Sequence, residues 1–218
     1  KEIATNLGVP VIASTPPSLR LSRIPGWARK NGLSDKDNST QMMLKAATAG
    51  GGNGNQVVSN LQELDKAIET VKRRAKNLGG SSKRIFMERF LPDVRHVEVQ
   101  VLGDQHKNLV HLGTRDCSVQ ANQQKIIEEA PAPFLTPEQE KLLYEYALEI
   151  GKAIEYSNAG TVEFLVGANS DIFFMEFNPR LQVEHGVTEL ITNLDLVEQQ
   201  ILIAEGKRVP PQKNIKFS

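Results

Sequence analysis

The chain has 218 residues, enough for one or two domains and for a hydrophobic core that needs no disulfide or metal staple. Lys plus Arg and Asp plus Glu are equal at 26 each; the basic excess of a phosphate-neutralising nucleic-acid binder is absent. The lone cysteine, Cys117, excludes an internal disulfide and fits a reducing compartment. No apolar run reaches membrane-spanning length, and no secretory pattern opens the chain. Lys1 to Val9 read as a helix already under way, so the sequence is expected to start inside a larger protein.

After that helix, Gly8 to Ile12 is strand-like. Residues 14–41, with Pro16, Pro17 and Pro25, read as an irregular connector with a short helix near Trp27. Residues 42–46 form a buried strand, a glycine-rich turn spans 49–55, and Gln56 to Val58 returns. Residues 60–77 carry Leu61, Leu64, Ile68, Val71 and Ala75 at helical spacing, with Ser59 or Asn60 as cap. Arg84 to Phe90 is a strand. His96 to Leu102 is another, with Val97, Val99 and Val101 on one face and His96, Glu98 and Gln100 on the other. Leu109 to Gly113 is its hairpin partner, and Lys125 to Glu128 a further short strand. Thr136, Pro137 and Gln139 predict a capping box opening a helix to Ile154 that buries Leu142, Tyr146, Ile150 and Ile154. Thr161–Val166 and Ile172–Asn178 make a second hairpin, and residues 187–205 are mostly helical. Strands joined as hairpins and mixed with helices predict an α+β fold.

Three segments carry chemistry. Lys45 closes a strand just before the glycines, a pairing suited to phosphate oxygens, although no Walker A ending follows and an unliganded hairpin fits equally. Glu163 is expected nearly opposite Glu176, with Asn178 on the same face, while Val162, Phe164, Phe173, Phe174 and Phe177 bury the other. Two carboxylates and an amide oxygen suit Mg²⁺; a solvated polar face is the alternative. In Asn178 to His185, Arg180, Gln182 and Glu184 point one way if extended. Arg grips planar carboxylate or bicarbonate, and Glu can act as a base; a salt-bridged loop is the alternative. His185 reads as a packed or capping histidine.

Taken together, Met43-Leu44-Lys45-Ala46 with its glycines, Arg95 to Gln100, Arg115 to Gln120, Gln124 to Pro131, Ala159 to Phe164 and Glu176 to His185 resemble one family over residues 40–206. It is the biotin carboxylase domain of biotin-dependent carboxylases of the acetyl-CoA, propionyl-CoA or pyruvate type. The resemblance implies an ATP-grasp fold and ATP- and bicarbonate-dependent carboxylation of biotin through carboxyphosphate. It implies the end of a preceding subdomain and connector over 1–40, a lid subdomain over 41–91, a catalytic subdomain over 92–206 and a tail over 207–218. Lys45, Gly51 and Gly52 would hold ATP phosphates, Glu88, Arg89 and Leu91 the adenine hinge, and His96 and Gln120 the nucleotide. Glu163, Glu176 and Asn178 would bind Mg²⁺ or Mn²⁺. Lys125, Arg180, Gln182, Val183 and Glu184 would form the bicarbonate site, with Glu184 the base and Arg180 also stabilising the biotin enolate. Implied partners are a biotin carboxyl carrier domain, a carboxyltransferase and a second copy, in cytoplasm or mitochondrial matrix, with neither nucleic acid nor membrane.

The sequence departs from the family's nearly unbroken glycine run where Thr48 and Ala49 precede Gly50 and where Asn53, Asn55 and Gln56 stand in place of Arg, an apolar residue and Arg, and again where Ala121-Asn122-Gln123 replaces an Arg-Arg-His stretch. Residues 14–41 depart too, and the family domain extends beyond both ends of this chain. A catalytically silent paralogue and a carbamoyl phosphate synthase-like ligase are the competing readings.

Overall fold

The computed structural model describes residues 1–16, 18–37, 39–46, 55–77, 85–121, 124–167 and 171–217. Its helices are α1 (Glu2–Asn6), α2 (Ile24–Lys30), α3 (Leu64–Asn77), α4 (Pro137–Ala153), α5 (His185–Thr192) and α6 (Leu196–Ala204). Its strands are β1 (Met42–Ala46), β2 (Gln56–Val58), β3 (Ile85–Arg89), β4 (Val94–Gly103), β5 (Leu109–Ala121), β6 (Gln124–Glu129), β7 (Asn158–Gly167) and β8 (Ile172–Asn178). The chain divides into two compact units, one of residues 12–92 with 121–124, the other of residues 1–11, 93–120 and 125–218.

The first unit is a three-stranded antiparallel sheet, order β2-β1-β3. Met42, Leu44 and Ala46 alternate into a core with Ile85 and Met87, against Leu64, Ala67, Ile68, Val71 and Ala75 of α3 and Ile24 and Ala28 of α2. The 64/68/71/75 spacing gives α3 one apolar stripe, which is why it lies on this sheet. Asn60 Oδ1 accepts from the Glu63 amide at 3.0 Å, and Glu63 Oε2 accepts from the Ser59 amide at 3.2 Å. That turn precedes α3, so the helix starts at Leu64 rather than residue 60. The glycines at 50–52 lie outside the described residues.

The second unit is a five-stranded sheet, order β6-β5-β4-β7-β8. Val97, Val99 and Val101 pack with Val162, Phe164, Val166, Ile172 and Phe174 under α4. Thr136 caps α4 through the Gln139 amide, and the Gln139 side chain returns the bond. The helix buries Leu143, Ala147, Ile150 and Gly151, whereas Leu142 and Tyr146 are only partly buried and Ile154 is exposed. Ile150 is buried as expected, while Leu143 and Ala147 take the core positions next to Leu142 and Tyr146, which pack at its edge, and the Leu109 side chain fills the space beside Gly151, 2.6 Å from where a Cβ would stand.

On the opposite sheet face, His96, Glu98 and Gln100 of β4 are followed by Leu102, which joins Val110, Leu112, Ala159 and Leu196 of α6 in a separate core. One strand face thus changes from polar to apolar along its length. β5 runs past Gly113 to Ala121, longer than expected, and bulges near Gly113, whose φ is +90°. β8 carries a second bulge: Glu163 pairs with Glu176, but Phe164 pairs with Phe174, leaving Met175 extra. Phe174 and Phe177 consequently both turn to the apolar side, while Glu176 and Asn178 share the other. Of the four phenylalanines expected on that face, Phe164, Phe174 and Phe177 are there and Phe173, opposite Leu165, is not, because strand alternation turns it away from its neighbour Phe174.

Candidate functional site

The polar face of the second unit is built around Lys125 of β6. Its Nζ donates to Glu98 Oε2 at 2.5 Å, Glu184 Oε1 at 2.5 Å and Glu163 Oε1 at 3.0 Å. An ammonium has three N–H donors, so each is taken. Glu98 and Glu163 stand on adjacent strands in direct register, and β8 ends in the turn that brings Gln182 and Glu184 over them. Burial lowers the Lys125 pKa, but Glu98, Glu163 and the Glu184 hydrogen bond outweigh it and hold the ammonium above its ordinary range.

Glu163 is held from four sides. Oε1 also accepts from Gln182 Nε2 at 2.9 Å and Asn178 Nδ2 at 3.0 Å, and Oε2 meets His96 Nε2 at 3.0 Å. Gln120 Nε2 donates to His96 Nδ1 at 2.9 Å, which leaves the ring proton on Nε2, aimed at Glu163. Burial raises the Glu163 pKa; the His96 bond, the Lys125 charge and the Gln182 amide reverse that and bring it to about 2. For Glu184 too, burial raises and the Lys125 bond more than compensates, leaving it lowered.

Glu163 and Glu176 lie opposite each other, and Asn178 Nδ2 reaches toward both, at 3.0 and 3.4 Å. Glu163 is buried and Glu176 exposed. The two carboxylates, one side open to solvent, are hard oxygen donors of the kind a divalent cation takes, and the Asn178 amide, which here turns its Nδ2 to them, would join that set only by presenting Oδ1 instead. Gln182 is buried, Val183 is 95 % exposed and Arg180 is exposed, its guanidinium 3.4 Å from the Leu181 carbonyl. His185 opens α5, its Nδ1 2.7 Å from the Gln182 carbonyl oxygen, a local packing contact. Cys117 is buried, and burial together with Glu98 raises its thiol pKa, so it is a packing thiol.

Within the other unit, Lys45 forms an ion pair with Glu88, which is 4 % exposed. Met43 pairs with Glu88 and Lys45 with Phe86, so both charged residues stand on the sheet face away from α3. Arg89 is exposed and Leu91 half-buried. Gly51 and Gly52 lie outside the described residues.

Two central residues carry no assigned role in the sequence reading: Glu98 and Arg115, both wholly buried. Their signal was the alternation of His96, Glu98 and Gln100 with valines, facing a strand that contains an arginine.

The family model described as carbamoyl-phosphate synthase L chain, ATP binding domain, matches residues 34–212. The chain belongs to that family. Among curated relatives of this ATP binding domain, biotin carboxylase 2 of Bacillus subtilis is 49 % identical over 176 residues, covering 80 % of this chain and 39 % of that protein. Pyruvate carboxylase of the same organism is 41 % identical over 223 residues, covering 99 % of this chain and 19 % of that protein. The chain thus spans well under half the length of these relatives. A solved biotin carboxylase domain dimer of the 2-oxoglutarate carboxylase of Hydrogenobacter thermophilus, in complex with MgADP, ADP and bicarbonate, superposes with a TM-score of 0.90 at 36 % identity. It covers 100 % of this chain and 47 % of its own. The fold is α+β and ATP-grasp, as the sequence implied. Among the described residues no helix is long and apolar enough to cross a membrane.

Proposed function

We propose that this chain is the ATP-grasp part of a biotin carboxylase, acting within a protein that uses ATP and bicarbonate to carboxylate carrier-bound biotin. The observation that carries this reading is the direct contact of the Lys125 ammonium with Glu184, 2.5 Å apart, beside buried Gln182. A cation, an amide and a carboxylate base at one point match the needs of bicarbonate, a planar anion that becomes nucleophilic only on losing its proton.

Because Lys125 has no spare N–H, bicarbonate would bind by exchange. Of its three carboxylates, Glu184 is the least buried, with a side chain 9 % exposed against 5 % for Glu163 and 0 % for Glu98. Displacing Glu184 from Lys125 removes the hydrogen bond that lowers its pKa, so the incoming anion itself makes Glu184 a stronger base. Deprotonated bicarbonate then attacks the γ-phosphoryl group of ATP, giving carboxyphosphate and ADP. Glu163, Glu176 and Asn178 are the residues proposed to hold Mg²⁺ or Mn²⁺, which supplies charge neutralisation at the phosphates. Lys45, Glu88, Arg89, Leu91, His96 and Gln120 are proposed for ATP, with Gly51 and Gly52 as a lid. Carboxyphosphate breaks down to CO₂ and phosphate, the phosphate takes the ureido N–H proton of biotin, and the enolate so formed, which Arg180 is proposed to stabilise, bonds through nitrogen to CO₂. A biotin carboxyl carrier domain, a carboxyltransferase and a second copy are the proposed partners, in cytoplasm or mitochondrial matrix. The proposed domain division, 41–91 as lid and 92–206 as catalytic subdomain, follows the same reading.

The test is ATP hydrolysis by the full-length protein with and without bicarbonate and biotin. Lys125→Met and Glu184→Gln are expected to lower bicarbonate-dependent turnover by about 10²-fold or more while MgATP still binds in calorimetry. Turnover that depends on ammonia and ignores biotin would replace this reading with a carbamoyl phosphate synthase-like one. Absent nucleotide binding by the unmutated protein would make the chain a silent paralogue.

A further inference from the structure

Arg115 is the largest fully buried side chain among the described residues. A guanidinium out of water is costly unless every donor is paired. Here all are: Nε donates to Glu98 Oε1 at 2.5 Å, one terminal nitrogen to Gln100 Oε1 and Thr188 Oγ1, both at 2.8 Å, and the other to Thr161 Oγ1 and Gln182 Oε1, both at 3.3 Å. Such a network adds little net stability over an apolar filling of the same volume, so its value lies in what it orients. Two of its contacts end on groups that face the reaction site. With Oε1 of Glu98 held by Arg115, Oε2 is presented to Lys125 Nζ. With Oε1 of Gln182 accepting from Arg115, the amide cannot turn, and Nε2 is aimed at Glu163.

We propose that Arg115 is a positioning residue for bicarbonate, setting Lys125 through Glu98 and setting Gln182 directly, without itself touching substrate. The inference rests on the bicarbonate reading above. It does not follow from the sequence motif, in which Arg115 is one polar residue of a polar strand.

The experiment is steady-state kinetics of the full-length protein carrying Arg115→Lys or Arg115→Met, with Thr188→Val as control. Lysine keeps the charge but cannot span a planar fork of acceptors. Bicarbonate KM is expected to rise about tenfold in Arg115→Lys, and kcat/KM for bicarbonate to fall on the order of 100-fold in Arg115→Met. The MgATP Kd should stay within about twofold. Thr188→Val removes an acceptor that belongs to neither relay, so it should lower the melting temperature and leave bicarbonate KM within about twofold. A folded Arg115 variant with unmutated bicarbonate KM, or a Thr188→Val variant that raises it equally, would overturn the proposal. If neither Arg115 variant folds, Glu98→Gln carries the test: its amide nitrogen would face Lys125 and push it away, and an unchanged KM sinks the relay. Failure of the underlying reading looks different, namely ATP hydrolysis by the unmutated protein that bicarbonate does not stimulate.

Discussion

Replacing Glu163 with glutamine should remove a specific, pH-dependent share of stability. The carboxyl is drawn from an ordinary 4.5 to about 2 by His96, Lys125 and Gln182 despite its burial. A depressed carboxylate favours the folded state fully above its unfolded pKa, and that contribution disappears as pH falls through its folded pKa, here between 4.5 and about 2. The difference converts to on the order of 3 kcal/mol. Lys125 keeps Glu98 and Glu184 in the variant, so no buried ammonium is orphaned. Urea unfolding followed by circular dichroism, from about pH 6 to about pH 2, should show the unmutated chain losing roughly that much more than Glu163→Gln. Asp104 and Asp116, also lowered but by partners outside the Lys125 cluster, titrate in both proteins and cancel. A stability gap that stays constant over this range would refute the electrostatic account of Glu163.

His111 is stacked on Tyr144 with ring centroids 3.7 Å apart; its Nδ1 is buried without a partner, and burial lowers its pKa from 6.5 to about 4. The unfolded state alone binds that proton between those values, so stability falls as pH drops through the window; His111→Phe should flatten it and be more stable near pH 5 by about 1–3 kcal/mol in chemical denaturation. Gly26 lies inside α2 with open space where a Cβ would go, so Gly26→Ala should stabilise by about 0.5–1 kcal/mol. At Gly103 a Cβ would meet the Tyr156 carbonyl oxygen at 2.3 Å, so Gly103→Ala should cost about 1–3 kcal/mol; thermal melts of the two variants must move in opposite directions. Thr136→Ala removes the capping box of α4 and should cost about 1 kcal/mol, read from the urea midpoint.

Local pattern was legible where one physical rule dominated. Apolar alternation marked β1 within its observed bounds, and Thr136, Pro137 and Gln139 marked the start of α4. It was less legible where burial and polarity coincide. Arg115 and Asp116 are buried in a continuing strand, but polar residues carry no apolar alternation, so β5 read as ending at Gly113. On α4, Ile150 was legible as core, but Ala147 and Gly151 carry too little hydrophobic bulk to mark the rest of the buried face, and the space beside Gly151 is filled by Leu109. Glu163 facing Glu176 followed from loop length and alternation. That Lys125 joins Glu98, Glu163 and Glu184 depends on strand order β6-β5-β4-β7, a nonlocal fact that no spacing encodes.

The surplus residue at Met175 gives the β7–β8 hairpin an asymmetric tolerance to length. On one side of it Phe164 and Phe174 meet edge to face, their centroids 6.2 Å apart; on the other, Glu163 meets Glu176. Deleting Met175 would leave an uninterrupted in-out alternation from Ile172 through Phe174, Glu176, Phe177 and Asn178, with the same partners across the ladder. Adding a residue between Glu176 and Asn178 would instead carry one of the two to the phenylalanine side and separate the pair. The hairpin can therefore be shortened at one position without exchanging its faces, and drift in chain length there is filtered by the carboxylate end rather than the aromatic one.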